Sequence, residues 1–223
     1  MTQLIILMTV VFSISLWLIY RRHHHQILRD RAALLSESHK VIDIKQRVLD
    51  QAGFAHLAGE FAGTSVALKL EVDNLTARKL PIMWLHITML RPAGSEGSLD
   101  ILMRPQSGDV FSPGWNWERP VTPPKNWPQH ARYVSKNKVP SLQRIDGDIQ
   151  SIFADQRVKA LLITPDAVRL TYLARQGDRG QYLLLRMADF DMQPLDPTEI
   201  AALSRQLQTL LFNLDGGHYE KAA

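Results

Sequence analysis

The sequence predicts an α+β domain behind a single N-terminal transmembrane helix. Three observations carry that expectation. Residues 1–20 contain no charged side chain and stop abruptly at Arg21-Arg22. Apolar and polar side chains alternate in three separate runs between residues 66 and 103. Near the C-terminus, Asp196-Pro197-Thr198-Glu199 opens a segment whose leucines fall on one helical face. Strands and helices that are grouped, rather than alternating as βαβ units, specify α+β.

The first element is the apolar run. About 20 helical residues at ~1.5 Å rise span ~30 Å, the thickness of a bilayer's hydrocarbon core. A cleaved signal peptide would need a basic start and a small-residue cleavage site. Here Met1-Thr2-Gln3 is uncharged and the run ends Trp17-Leu18-Ile19-Tyr20. The expectation is therefore a permanent single-pass anchor over 1–20. Trp17 and Tyr20 would sit in the headgroup layer beside Arg21 and Arg22. With Lys and Arg concentrated after the span and none before it, the N-terminus should lie outside and the main domain in the cytoplasm. The setting expected is a bacterial inner membrane. The chain has no cysteine, which fits a reducing compartment and a Cys-free periplasmic domain equally.

The formal net charge is +4, and its location matters more than its size. Residues 21–53 hold seven basic and four acidic side chains, leaving nineteen against eighteen in residues 54–223. The surplus forms a collar suited to anionic headgroups. A nearly neutral domain argues against nucleic acid as its ligand.

Residues 26–52 contain no Pro or Gly, and their apolar pairs repeat every seven residues: Ile27-Leu28, Leu34-Leu35, Val41-Ile42 and Val48-Leu49. This predicts a stalk helix within a collar-and-stalk segment 21–53, ended by Gly53 as a C′ residue. Arg31, Ser38 and Lys45 interrupt the stripe. It is therefore narrower than a coiled-coil seam; a stalk leaning on the domain is the first reading and self-association through the stripe the alternative.

The globular domain is expected over 54–216, with a tail at 217–223. Val66, Leu68, Leu70 and Val72 alternate with polar or small residues, and residues 56–62 should pair back through Gly63-Thr64. Residues 82–90 place Met83, Leu85, Ile87 and Met89 on one face. With Leu99, Ile101 and Met103, these runs predict an antiparallel meander with one face on the core. Residues 149–163 suggest one or two helices. Val168, Leu170 and Tyr172 alternate, Gly177–Gly180 turns the chain, and residues 182–187 suggest a returning strand. The last helix carries Ile200, Leu203, Leu207, Leu210 and Leu214 on one face, after an Asp N-cap and a Pro at N1.

Residues 105–128 break the pattern. Six prolines exclude a long helix or a central strand. Yet Phe111, Trp115, Trp117 and Trp127 lie here. Such aromatic content is foreign to a disordered linker and favoured at interfaces. These four are the candidate partner-binding residues; the alternatives are that the tryptophans pack on the sheet or that the segment dips into the headgroup layer.

The chemistry-bearing motifs are weak. His23-His24-His25 cannot all face one ion, because successive helical residues point about 100° apart. No metal site and no cofactor are expected. Asp189 and Asp191 follow a strand-like run, and His86 shares a strand face with Trp84, but no phosphate loop or nucleophile motif accompanies them. The leading reading is a membrane-anchored, non-enzymatic accessory or scaffold protein. It would bind the bilayer and a membrane-associated protein partner. The alternatives are a membrane-bound enzyme acting on a lipid-linked or phosphorylated substrate through Asp189, Asp191 or His86, and a lipid-binding module. The mark of the lipid-binding module would be an apolar cavity lined by the Met83/Leu85/Ile87/Met89 face.

Overall fold

The computed structural model describes residues 2–73, 80–93, 95–105, 116–185 and 189–215. Helix α1 (Thr2–Ala33) runs unbroken from the apolar segment into the domain. A 3-10 turn (Ser36–Lys40) leads to the first strands, β1 (Asp43–Leu49), β2 (Ala55–Phe61), β3 (Thr64–Asp73), β4 (Ile82–Leu90) and β5 (Leu99–Met103). Then come β6 (Arg119–Pro120), β7 (Ala131–Ser135), α2 (Asp146–Phe153), β8 (Val158–Ile163), β9 (Ala167–Gln176), α3 (Arg179–Leu185) and α4 (Pro197–Leu214).

The described strands form one antiparallel sheet of nine, in the order β1-β2-β3-β4-β9-β8-β5-β7-β6. The α+β class holds. Period-2 alternation separates the two faces. One register row crosses seven strands as Leu57, Leu68, Ile87, Leu170, Leu161, Ile101 and Tyr133, and every member is buried. Helix α4 covers this face with Ile200, Leu203, Leu207, Leu210 and Leu211. Its start is capped as expected, with the Asp196 carboxylate accepting from the Thr198 amide at 2.8 Å and Pro197 in the first turn.

Several expectations are corrected. The stalk helix is the largest. Helix α1 stops at Ala33, and residues 43–49 are an edge strand. Tertiary contacts override the helical pattern here. Leu34 and Leu35 turn into the core, and the Leu34 carbonyl accepts from the Leu195 amide at 2.8 Å. With Leu34, Leu35 and Ile42 buried inside the domain, the stripe proposed for self-association is largely consumed within the chain. Gly53 ends no helix. It has φ +90° in the β1–β2 connection and packs under Leu28 of α1, where a Cβ would lie 2.7 Å from the leucine.

The meander is interrupted too. β1 to β4 follow one another, but β9 and β8 stand between β4 and β5. Residues 158–163 are a fully buried strand, not helix. A continuous apolar run fits either until its neighbours are known, and here the Asp155 carboxylate turns the chain by accepting from the Arg157 amide. Residues 179–185 form helix rather than strand, started by Asp178 accepting from the Gln181 amide at 2.6 Å. The Gly216-Gly217 stop and the tail 217–223 lie outside the described residues.

Candidate functional site

The apolar end of α1 sets the frame. Residues 2–20 are exposed along their length, and the helix is long and apolar enough to cross a membrane. The Arg21 guanidinium lies 5.4 Å from the Trp17 ring, and Tyr20 stacks on His24 at 6.0 Å, both pairs at i, i+4 spacing. Arg22 follows on the same helix. The other end of α1 is fixed to the domain. Arg31 donates to the Ala52 carbonyl at 2.8 Å and lies 5.2 Å over the Phe54 ring, while Arg47 donates to the Ala32 carbonyl. The apolar segment and the sheet are thus joined by continuous helix.

Between these two ends lies a groove of ≈580 Å³. One wall is His23, Ile27, Asp30 and Arg31 of α1. The β1–β2 connection adds Asp50, Ala52 and Phe54. The floor is Lys69 to Val72 of β3 with Met83 of β4, and the far wall is Asp189, Phe190 and Met192. The groove exists because β3 runs on past its partner. The β2–β3 register ends at His56 and Lys69, whereas β3 continues against β4 to Asp73. At ~1.5 Å rise per residue, its α1 wall spans from about 5 Å to about 16 Å beyond Tyr20. Of the Met83/Leu85/Ile87/Met89 face only Met83 reaches this groove, and the other three are core.

The opposite face of the sheet carries a polar strip. His86 of β4, Thr171 of β9 and Asp100 of β5 are buried, Arg169 of β9 and Arg132 of β7 are partly buried, and Leu162 of β8 lies between Arg169 and Asp100. His86 Nδ1 lies 3.0 Å from Thr171 Oγ1, Nε2 lies 3.6 Å from the Glu71 carboxylate, and Arg132 pairs with Asp100 at 3.1 Å. Burial pushes His86 down to about 4, with Arg169 adding to the shift and Glu71 opposing it. The imidazole is therefore neutral at pH 7.

The structure does not gather Asp189, Asp191 and His86. Asp189 lines the groove, while the Asp191 carboxylate is exposed and 3.8 Å from Arg175 Nε. His86 lies on the far face of the sheet. Among the described residues, no cluster of three or more His, Asp or Glu is placed to hold a metal ion.

The aromatic candidates separate. Phe111 and Trp115 lie outside the described residues. Trp117 is half-buried. Trp127 is 3% exposed, donates Nε1–H to the Asp146 carboxylate at 2.6 Å and packs on Tyr133 with ring centroids 5.7 Å apart. The Tyr133 hydroxyl donates to the Pro128 carbonyl, and burial raises it to about 12. Trp127 thus ties the proline-rich segment to β7 and to the start of α2. The groove was the part the sequence did not reveal. Its walls come from four distant segments, and the only local signal was the Asp189-Phe190 juxtaposition after an apolar run.

No protein-family profile matches the chain, and no curated protein matches it significantly. Among solved structures, the crystal structure of the mycobacterial trehalose monomycolate transport factor A is similar over 84% of this chain and 94% of that one, at 11% identity and a TM-score of 0.44.

Proposed function

We propose that this chain is a membrane-anchored, non-enzymatic accessory protein of a bacterial inner membrane that binds a membrane protein at the bilayer surface. The observation that carries this reading is α1. Its residues 2–20 are exposed and uncharged, and the chain that continues from it is buried in the domain at Leu34 and Leu35. A helix fixed at one end and bare at the other needs a second medium to cover it. The domain surface supports the same orientation. Val48 and Leu49 at the end of β1, and Leu183 and Leu184 on α3, are each more than half exposed. All four lie toward the sheet end from which α1 emerges, since Asp50 and Ala52 line the groove and the Asp178 amide bonds the Asp189 carbonyl. Exposed apolar side chains around a membrane helix suit contact with headgroups.

The partner would meet this same pole or the segment 105–128, where Trp117 offers an accessible aromatic edge. The absence of cysteine makes a clean test possible. Thr2→Cys is expected to react with an impermeant maleimide in intact spheroplasts, and exposed Ser141→Cys only after permeabilisation. The reverse pattern would put the domain outside and overturn the sidedness. A photoreactive residue at Trp117 in native membranes is expected to form an adduct with a membrane protein. Adduct formation only with abundant soluble proteins would remove the docking claim. The groove favours a second reading, a module that engages lipid.

A further inference from the structure

Resting on the anchor reading, we infer that the groove between α1, β3 and the 189–192 segment holds an acyl chain of an amine-bearing zwitterionic phospholipid from the adjacent leaflet. Three observations point there. The first is place. The groove wall begins about three residues, ~5 Å, past the apolar span, so a chain entering it leaves the bilayer by only a short rise. The second is size. A helix ~10 Å across fills roughly 420 Å³ per turn, so ≈580 Å³ admits little more than one turn of a partner helix but readily takes a flexible chain. Ile27, Phe54, Val72 and Phe190 give it an apolar lining.

The third is charge. Asp30, Asp50 and Asp189 stand against Arg31, which leaves the walls net negative by two, while Lys69 and Glu71 pair with each other toward His86. Both cations are already engaged, Arg31 with the Ala52 carbonyl and Lys69 with Glu71 at 2.9 Å. An anionic headgroup would be repelled from these walls. An ammonium would be drawn to them while its phosphate stays with Arg21 and Arg22 on the membrane side.

The test uses the full chain in nanodiscs that contain a phospholipid with a diazirine in its acyl chain, followed by peptide mapping of the crosslinks. Crosslinks are expected on residues 2–20 and also on the peptides carrying Val72 and Phe190. Crosslinks on 2–20 alone would overturn the groove assignment and leave the anchor intact. Crosslinks on neither would overturn the anchor reading, and the inference with it. With ethanolamine and glycerol headgroups in competition, the groove crosslinks should favour ethanolamine, and Asp30→Asn with Asp189→Asn should lose most of that preference while 2–20 labelling is unchanged. Equal use of both headgroups by the unaltered chain would overturn the headgroup assignment. Phe190→Arg, at a side chain that also packs partly on the core, is expected to abolish groove crosslinks while keeping a cooperative melt, and undiminished crosslinking at Val72 in that variant would also overturn the assignment.

Discussion

At the distal end of the sheet, Arg91 follows β4 and is fully engaged. Its Nε and Nη2 hold the Asp215 carboxylate at 3.2 and 2.5 Å, Nη1 donates to the Thr164 carbonyl at 2.6 Å, and Nη2 to the Glu96 carbonyl at 3.0 Å. Both charged side chains are almost wholly buried. At the proximal end, beside α1, apolar groove walls meet solvent and Val48, Leu49, Leu183 and Leu184 stand exposed. The distal end also has a hollow, of ≈700 Å³, but Arg91, Glu96, Lys138, Arg144 and Asp215 line much of it. The distal end, although Leu90 is exposed there, thus holds its buried charge pair within the chain, while the proximal end gathers apolar surface around a groove. The difference teaches where stability and interaction each reside.

The largest expected effect breaks the distal clasp. Arg91→Met strands the Asp215 carboxylate in a buried setting and should cost about 3–5 kcal/mol in denaturant unfolding. Membrane integration of the variant should be unchanged, because α1 is at the other end. Loss of integration without loss of stability would erase the division between the ends.

Next comes Gly53→Ala at the proximal end. The φ of +90° and the Leu28 contact at 2.7 Å both resist a Cβ. The cost should be about 1–3 kcal/mol. It should appear as faster hydrogen exchange over residues 26–35, with the Arg91 region unaffected.

A mid-sheet control sharpens the comparison. His86 has a folded pKa depressed by burial to about 4, below the ordinary value near 6.5. Between these values the unfolded chain binds the extra proton. Stability is therefore whole above about pH 6.5 and falls as pH drops toward 4, by up to about 1.4 kcal/mol per pH unit. His86→Gln should flatten that part of the stability–pH curve and leave lipid contact alone.

The smallest effect concerns the proximal rim. Leu183→Ser with Leu184→Ser should change stability by less than about 0.5 kcal/mol. A fluorophore on α3 should nevertheless lose quenching by brominated lipids. Retained quenching would mean that α3 meets the bilayer without these leucines.

Much of the fold was legible where one local signal dominates. The β2–β3 hairpin follows from alternation and Gly63, and α4 from Asp196-Pro197 and its leucine face. Trp127 shows the limit of composition. Its presence in a proline-rich segment suggested an interface, but only Asp146 and Tyr133 reveal that it packs inward. β7, bearing Tyr133, gave no clear pattern in five residues that alternate weakly.

The sequence alone determined the uncharged span, the basic collar beside it, the α+β class and the final helix. These depend on residues within one or two turns of each other, so periodicity and capping suffice. Only the tertiary structure decided that the stalk becomes an edge strand, that β9 and β8 separate β4 from β5, and that four distant segments enclose a groove beside the apolar helix. Those outcomes depend on which strand finds which neighbour, and the competing local conformations of such short apolar runs are nearly equal in energy until that pairing is made.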